Sequence, residues 1–512
     1  MKKALSILLA AMLALGLLAA CGNSGGSPSQ TSQGSASQSA DGSSVQQPQG
    51  EADKIVVTYL YPTVVPSDLQ KVQDAVNAIS VPAINVEVEF KTLTIPESFS
   101  NYSLWITSGE QVDLMCVAFS GLSSYINSGQ IEPLNDLIAE HAPTIAQLAQ
   151  EFPITDGAQF QGETYGVTPV MASYGNQGAY LIKQRYLDEI ELERKDVYTL
   201  DDLTEIFGAI KALHPDLYPN GNTGLSIPAG NSLYHYFGVI DPLGATTQSG
   251  VLMSMDSTTI VNLYETDEYM DYLRTARVWY ENQYTMTDAA TTDTSGQELL
   301  SNEVTAGFSM MNRPDQVPTQ SSTYNEPFEA LCLTEPYLPA AAPSGSTQWT
   351  IPITSKNPAA AMKFLDLTFE NHALAALITY GIEGEHYELV GTEDVINIFE
   401  PTVYGEGFGL WGDRRYEYFV SDMLTHEMNE TFTQEAAKNA SIASGYVFDS
   451  STVTNQLIAI QGVMDEYLPS LETGSVSDWE GTHASFISKL KDAGIDDVIA
   501  ENQRQFDEWL AA

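Results

Sequence analysis

Aromatic and amide side chains recur in the loops beside the strand-like segments of this 512-residue chain. Tyr61, Pro62 and Thr63 follow the first such segment, and Phe119, Ser120 and Tyr125 follow a later one. Tyr174, Asn176 and Gln177 form a third group, and Asn231, Tyr234 and His235 a fourth. Asn312 and Arg313, then Gln348 and Trp349, then Trp411, Asp413 and Arg414 complete the set. An aromatic plane covers the C–H face of a sugar-like ring, while amides, carboxylates and guanidinium groups pair with its hydroxyls. Such a set suits non-covalent capture of a neutral, hydroxyl-rich solute. Tyr61, Tyr125, Tyr174, Asn176, Tyr234, Arg313, Trp349 and Trp411 are the candidate ligand contacts. Packing is the competing reading of each tryptophan. Trp279 shares a helix with Tyr269, Tyr272 and Tyr280 and reads as core, and Asp113 reads as a strand-end or capping residue.

Catalytic patterns fail on inspection. His426-Glu427-Met428-Asn429-Glu430 begins like a zinc-protease helix but has Glu430 where the second histidine must stand. Ser488 and Lys491 have the Ser-x-x-Lys spacing on an amphipathic helix with no Lys-Thr-Gly after it. The loop Pro219 to Gly224 carries no carboxylate for calcium. No catalytic residue, metal ligand or cofactor is therefore assigned. A glycosidase carboxylate pair would be unmarked among 67 acidic residues, so a secreted glycan hydrolase stays open as an alternative.

The start of the chain sets location. Lys2 and Lys3 precede an apolar run from Ala4 to Ala20, a secretory signal pattern. Leu18-Ala19-Ala20-Cys21 resembles the bacterial lipobox, which implies that residues 1–20 are removed and Cys21 is lipidated. Residues 21–53 are rich in Ser, Gly and Gln and read as a disordered tether. About 30 flexible residues span roughly 30 Å. The expected place is the cell membrane, lipid-anchored and facing outward.

The formal net charge of −46 argues against nucleic acid as a partner. A folded part of this length exceeds one core and implies two lobes. Cys116 and Cys332 sit in apolar strand-like segments; they read as separate core thiols, with a disulfide left open.

The elements that must position these residues follow from periodicity. Lys54–Leu60, Asn85–Phe90 and Asp113–Phe119 read as strands separated by helices over 66–79 and 99–107, which implies parallel strands with helical crossovers. A helix is expected from about Leu134 to Leu148, others at 185–191, 199–212, 266–283 and 357–368, and three in the last quarter.

Several segments carry a family resemblance. Gly109-Glu110-Gln111-Val112-Asp113-Leu114, Gly129-Gln130-Ile131-Glu132-Pro133-Leu134 and Gly162-Glu163-Thr164-Tyr165-Gly166-Val167-Thr168-Pro169 occur in this order. With Tyr180 to Leu187 and Tyr198 to Leu203, they resemble the family 1 extracellular solute-binding proteins, the maltose-binding-protein-like lipoproteins of ABC importers. Gly381-Ile382-Glu383-Gly384-Glu385-His386-Tyr387 and Gly445 to Asp449 are similar to a subset with an extended C-terminal region. The resemblance implies an α/β, two-lobed periplasmic-binding-protein-like fold (type II) with several hinge crossings. It implies a first lobe of 54–168 plus 303–345 and a second of 172–300 plus 350–512. Trp349 then lies beside a crossing, and Trp411 follows a glycine-rich loop able to approach the cleft. The partners implied are a small solute, expected to be an oligosaccharide with a peptide still open, and permease membrane subunits; the chain is expected to be a monomer. A surface sensory lipoprotein without a permease is a further alternative.

Overall fold

The computed structural model describes residues 50–511, apart from 62–64, 119–121, 161, 228–229, 244–245, 341–346, 392–393, 401–402, 405–409 and 421–422. Cys21 and most of the tether lie outside the described residues.

Strands β1 (Asp53–Tyr61) and β2 (Val86–Thr94) pair in parallel across their whole length, joined by helix α1 (Leu69–Ile84). Parallel neighbours need a crossover. Helix α1 supplies it and buries Leu69, Val72 and Val76, one stripe at helical spacing, against them. A Thr94–Glu97 capping box opens α2 (Ile95–Ser108), and Gly109 closes it. Strand β3 (Met115–Ala118) follows, with its approach bridged in parallel to Val57. Next come α3 (Ser123–Asn127), α4 (Asn135–His141) and α5 (Pro143–Leu148). The single helix expected over 134–148 is thus two helices, because Pro143 lacks the N–H that would continue the first. A short hairpin, β4 (Gln159–Phe160) with β5 (Glu163–Thr164), ends this part.

Strand β6 (Gln177–Lys183) begins a second sheet, followed by α6 (Gln184–Glu189) and α7 (Leu200–Leu213). Strand β7 (Tyr218–Asn220) precedes a stretch of 3-10 turns and isolated bridges that runs to α8 (Asp267–Glu281). Then come α9 (Gly296–Ser301), β8 (Thr305–Asn312), α10 (Gln316–Tyr324) and β9 (Phe328–Cys332). The sheet order is β7-β8-β6-β9, with β6 antiparallel to both neighbours. Strand β10 (Thr347–Thr350) returns to pair antiparallel with β3. Helices α11 (Pro358–Glu370) and α12 (His372–Tyr380), the hairpin β11 (Tyr387–Leu389) with β12 (Ile396–Ile398), and α13 (His426–Ala437) follow. Helices α14 (Thr454–Glu472), α15 (Trp479–Asp492) and α16 (Ile495–Leu510) end the chain.

Two main cores result. One draws on residues 55–174 and 349–411, the other on 180–333 and 453–498. This corrects the expected division of the chain. The segment 303–345 contributes β8 and β9 to the second sheet, not to the first lobe. Residues 350–411 build the first core, not the second. A strand's hydrophobicity shows that it is buried, but its sheet is decided by which neighbour has a free edge. Strand β8, buried from Thr305 to Ser309, fills the slot between β6 and β7.

The chain passes between the cores three times, and the crossings touch. Asn176 bridges Tyr337, and Leu338 bridges Ala440. Gly175 at φ 128° is required there: a Cβ would stand 2.4 Å from the Cβ of Ala436.

Candidate functional site

The crossings bring one end of each sheet to the lobe boundary. On the second lobe, Gln177 starts β6, Asn312 ends β8 and Cys332 ends β9. Asn312 Nδ2 donates to Gln177 Oε1 at 3.0 Å, and Gln177 Nε2 donates to the Thr334 carbonyl at 3.1 Å. The Asn312 Oδ1 is buried without a hydrogen-bond partner among the described residues, so it is an acceptor awaiting a donor. Arg313 follows, half-buried, with Nε 3.8 Å from the Asp315 carboxylate.

On the first lobe, β10 carries Gln348 and Trp349, both buried. The Trp349 indole N–H donates to the Leu410 carbonyl at 2.6 Å, and its ring lies 4.1 Å from that of Trp411. Trp349 is 1% exposed and Trp411 7%, so both rings are buried. Trp411 lines a small surface groove together with His372, Thr379, Arg414, Tyr416 and Glu417. Tyr416, 54% exposed, stacks on His372 at 3.8 Å and 15°. Arg414 Nε meets Glu417 at 2.9 Å. Burial works against the Arg414 charge, but Glu417 outweighs it and holds the guanidinium above its usual range. Burial pushes the Glu417 carboxyl up, against the pull of Arg414. The Asp315 charge from the second lobe also raises both. Asp413 clamps Arg415, whose guanidinium lies 4.3 Å from the Phe152 ring centre.

The other candidates are placed as follows. Tyr174 stacks on Phe152 at 6.0 Å, and its hydroxyl accepts the Met171 N–H. Its own N–H donates to Thr433 on α13, so it fastens the first crossing. Asn176 joins two crossings through its backbone. Tyr234 is buried, edge-on to Tyr269 and Tyr272. Tyr125 is 6% exposed in the first core, and Tyr61 is half-buried at the end of β1. Asn231 accepts the Thr247 N–H at 3.3 Å. Pro62, Thr63, Phe119 and Ser120 lie outside the described residues. Cys116 and Cys332 are free thiols on strands of different sheets; burial pushes the Cys332 thiol up to about 11.

His372, Tyr416, Glu417 and Asp315 were not among the sequence candidates. Each is unremarkable in sequence and acquires meaning only from contacts across more than one element.

A family model described as bacterial extracellular solute-binding protein matches residues 75–382. The chain belongs to this family. Residues 442–511 match a domain of unknown function (DUF3502). A carbohydrate ABC transporter substrate-binding protein of Streptococcus pneumoniae is 23% identical, with 97% of this chain and 96% of that protein aligned. The crystal structure of an N-glycan transport solute-binding protein from the same organism has a TM-score of 0.77 at 22% identity, covering 90% of this chain and 99% of that one. Its complex with Man5GlcNAc gives 0.67 at 22% identity and the same coverage. These likenesses bear out the two-lobed α/β fold read from the sequence. Family membership places the protein among the binding components of bacterial importers, on the outer side of the cell.

Proposed function

We propose that this protein captures a neutral oligosaccharide between its lobes and delivers it to the membrane subunits of an ABC importer. It does so as a monomer held to the membrane by lipid on Cys21. The observation that carries this reading is the aromatic and charged wall of Trp411, Tyr416, His372, Arg414 and Glu417 where the chain leaves the first core. Aromatic planes beside paired hydrogen-bonding charges match the two kinds of surface on a sugar. The net charge of −46 favours a neutral solute over an anionic one. The relatives named for carbohydrate and N-glycan transport support the same class. Trp411 and Arg313 contact the solute, Trp349 holds Trp411 in plane, and Tyr174 and Asn176 serve the hinge. Tyr61 and Tyr125 line the first-lobe side. Solute touching both lobes favours the closed arrangement.

Thermal unfolding and calorimetry with Man5GlcNAc, a fructan oligosaccharide and a peptide pool test this reading. A binder at about 100 times its Kd adds roughly 2.7 kcal/mol of stability. Trp411→Ala is expected to weaken glycan binding by about ten-fold or more, about 1.4 kcal/mol. A response to peptides alone would overturn the solute class, and cleavage of the glycan would replace capture by hydrolysis.

A further inference from the structure

We infer that the C-terminal helical region, residues 442–511, shapes the second-lobe wall of the cleft, with Glu472 as the positioning residue for the turn at 232–236. The binding half of this inference rests on the oligosaccharide reading above.

The stretch between β7 and α8 has 3-10 turns and isolated bridges in place of a sheet ladder. Its backbone groups must find partners elsewhere. The C-terminal helices supply them. Asn502 Nδ2 donates to the Ser249 carbonyl at 2.9 Å, and the Ile260 N–H donates to Gln503 Oε1 at 2.7 Å. His483 Nε2 lies 2.7 Å from the Tyr264 carbonyl.

The link with the most partners is Glu472, 2% exposed at the end of α14. Its carboxylate accepts the Leu233 N–H at 2.6 Å, the Tyr269 hydroxyl at 2.9 Å and the Ser232 hydroxyl. Ser232 Oγ in turn accepts the Tyr234 N–H at 3.0 Å. Glu472 therefore fixes the start of the 3-10 turn Leu233–Tyr236.

The other end of that turn reaches the cleft. The Tyr236 carbonyl presses on Gly178, where a Cβ would stand 2.3 Å away. Gly178 follows Gln177, which holds Asn312 at the boundary end of β8. His235, on the same turn, has a buried Nδ1 without a partner among the described residues. Movement at Glu472 is thus passed through the turn to the cleft end of β6.

Tyr269 and Tyr272 on α8 and Tyr264 just before it lie around the carboxylate, and His483 on α15 meets the Tyr269 ring. Burial pushes Glu472 up to about 7, against hydrogen bonds from Ser232, Leu233 and Tyr269 that lower it. An acid raised in the folded state holds its proton longer folded than unfolded. Its contribution to stability therefore falls as pH rises from the unfolded value of about 4.3 to about 7, and is level above that.

The test compares wild type, Glu472→Gln and Glu472→Ala in the compact unit 48–512. Hydrogen exchange at the amides of Leu233 and Tyr234 reads the turn without ligand, and Man5GlcNAc titration reads the cleft. In Glu472→Ala, exchange at the turn is expected to rise by about ten-fold or more and affinity to fall by a similar factor. Glu472→Gln is expected to restore both to within about three-fold while flattening the pH slope of melting between about 4.3 and 7. Unchanged exchange and affinity in Glu472→Ala would overturn the inference. Should that variant fail to fold, Ser232→Ala loosens the same turn, and wild-type exchange in it would overturn the inference equally. If wild type itself does not bind Man5GlcNAc, the solute reading fails, and turn exchange alone decides the role of Glu472.

Discussion

Trp349→Ala is expected to lower the unfolding free energy by about 3–5 kcal/mol, the usual range for emptying a buried tryptophan site. The side chain is 1% exposed, so almost no water replaces it in the wild-type fold. Its ring supports Trp411 at 4.1 Å, and Phe364 meets Trp411 at 6.0 Å from another side. The Leu410 carbonyl, which accepts the indole N–H, loses that donor as well. Trp349→Phe separates the two effects: it keeps a ring under Trp411 and removes the hydrogen bond, so about 1–3 kcal/mol is expected from it. Urea unfolding followed by far-ultraviolet circular dichroism measures both, with the midpoint shifting and the slope unchanged. A Trp349→Ala protein as stable as wild type would show that the ring is not a core member. In that event its buried position would have to be ascribed to the solute site after all.

The same residue shows what sequence could and could not supply. The place of Trp349 beside a crossing was readable, but the contact of its ring with Trp411 was not, because that contact depends on where the returning chain lays Trp411. The crossover helices, the Thr199 helix start and the core role of Trp279 were legible from periodicity and capping residues. Trp279 is 1% exposed and donates to Thr204 Oγ1 at 2.7 Å. The assignment of 303–345 and 350–411 to lobes was not legible. Strand type is a local property, whereas pairing with β6 or β3 is decided by partners more than 100 residues away. The turn at 232–236 escaped for a different reason. Its 3-10 geometry has no extended period, and its partner Glu472 lies 239 residues from Leu233 in the chain.

Asp113→Ala is expected to be comparably damaging, at about 3–5 kcal/mol, although it removes only a carboxylate. Asp113 is 0% exposed and joins three separate pieces of the first lobe. One oxygen accepts from the Val56 N–H at 2.8 Å and from Gln111 Nε2 at 2.7 Å. The other accepts from Ser355 Oγ at 2.8 Å, Lys356 N–H at 2.7 Å and Asn357 N–H at 3.2 Å. Three of these donors are backbone groups, and alanine leaves all three without their acceptor. Asp113→Asn is the sharper test. Whichever way the amide turns, its NH₂ faces a backbone N–H that can only donate, so at least one such group loses its partner, at about 1–3 kcal/mol. The returning segment at 355–357 leads directly into α11, and α11 packs in the core that also holds Trp349. Loosening this knot should therefore raise hydrogen exchange in β1 and at the start of α11 together, while β6 and β8 in the other sheet keep their protection. Exchange rising equally in both sheets would mean that the lobes unfold as one unit, and the knot at Asp113 would then be one contributor to a shared stability and not the fastener of its own lobe.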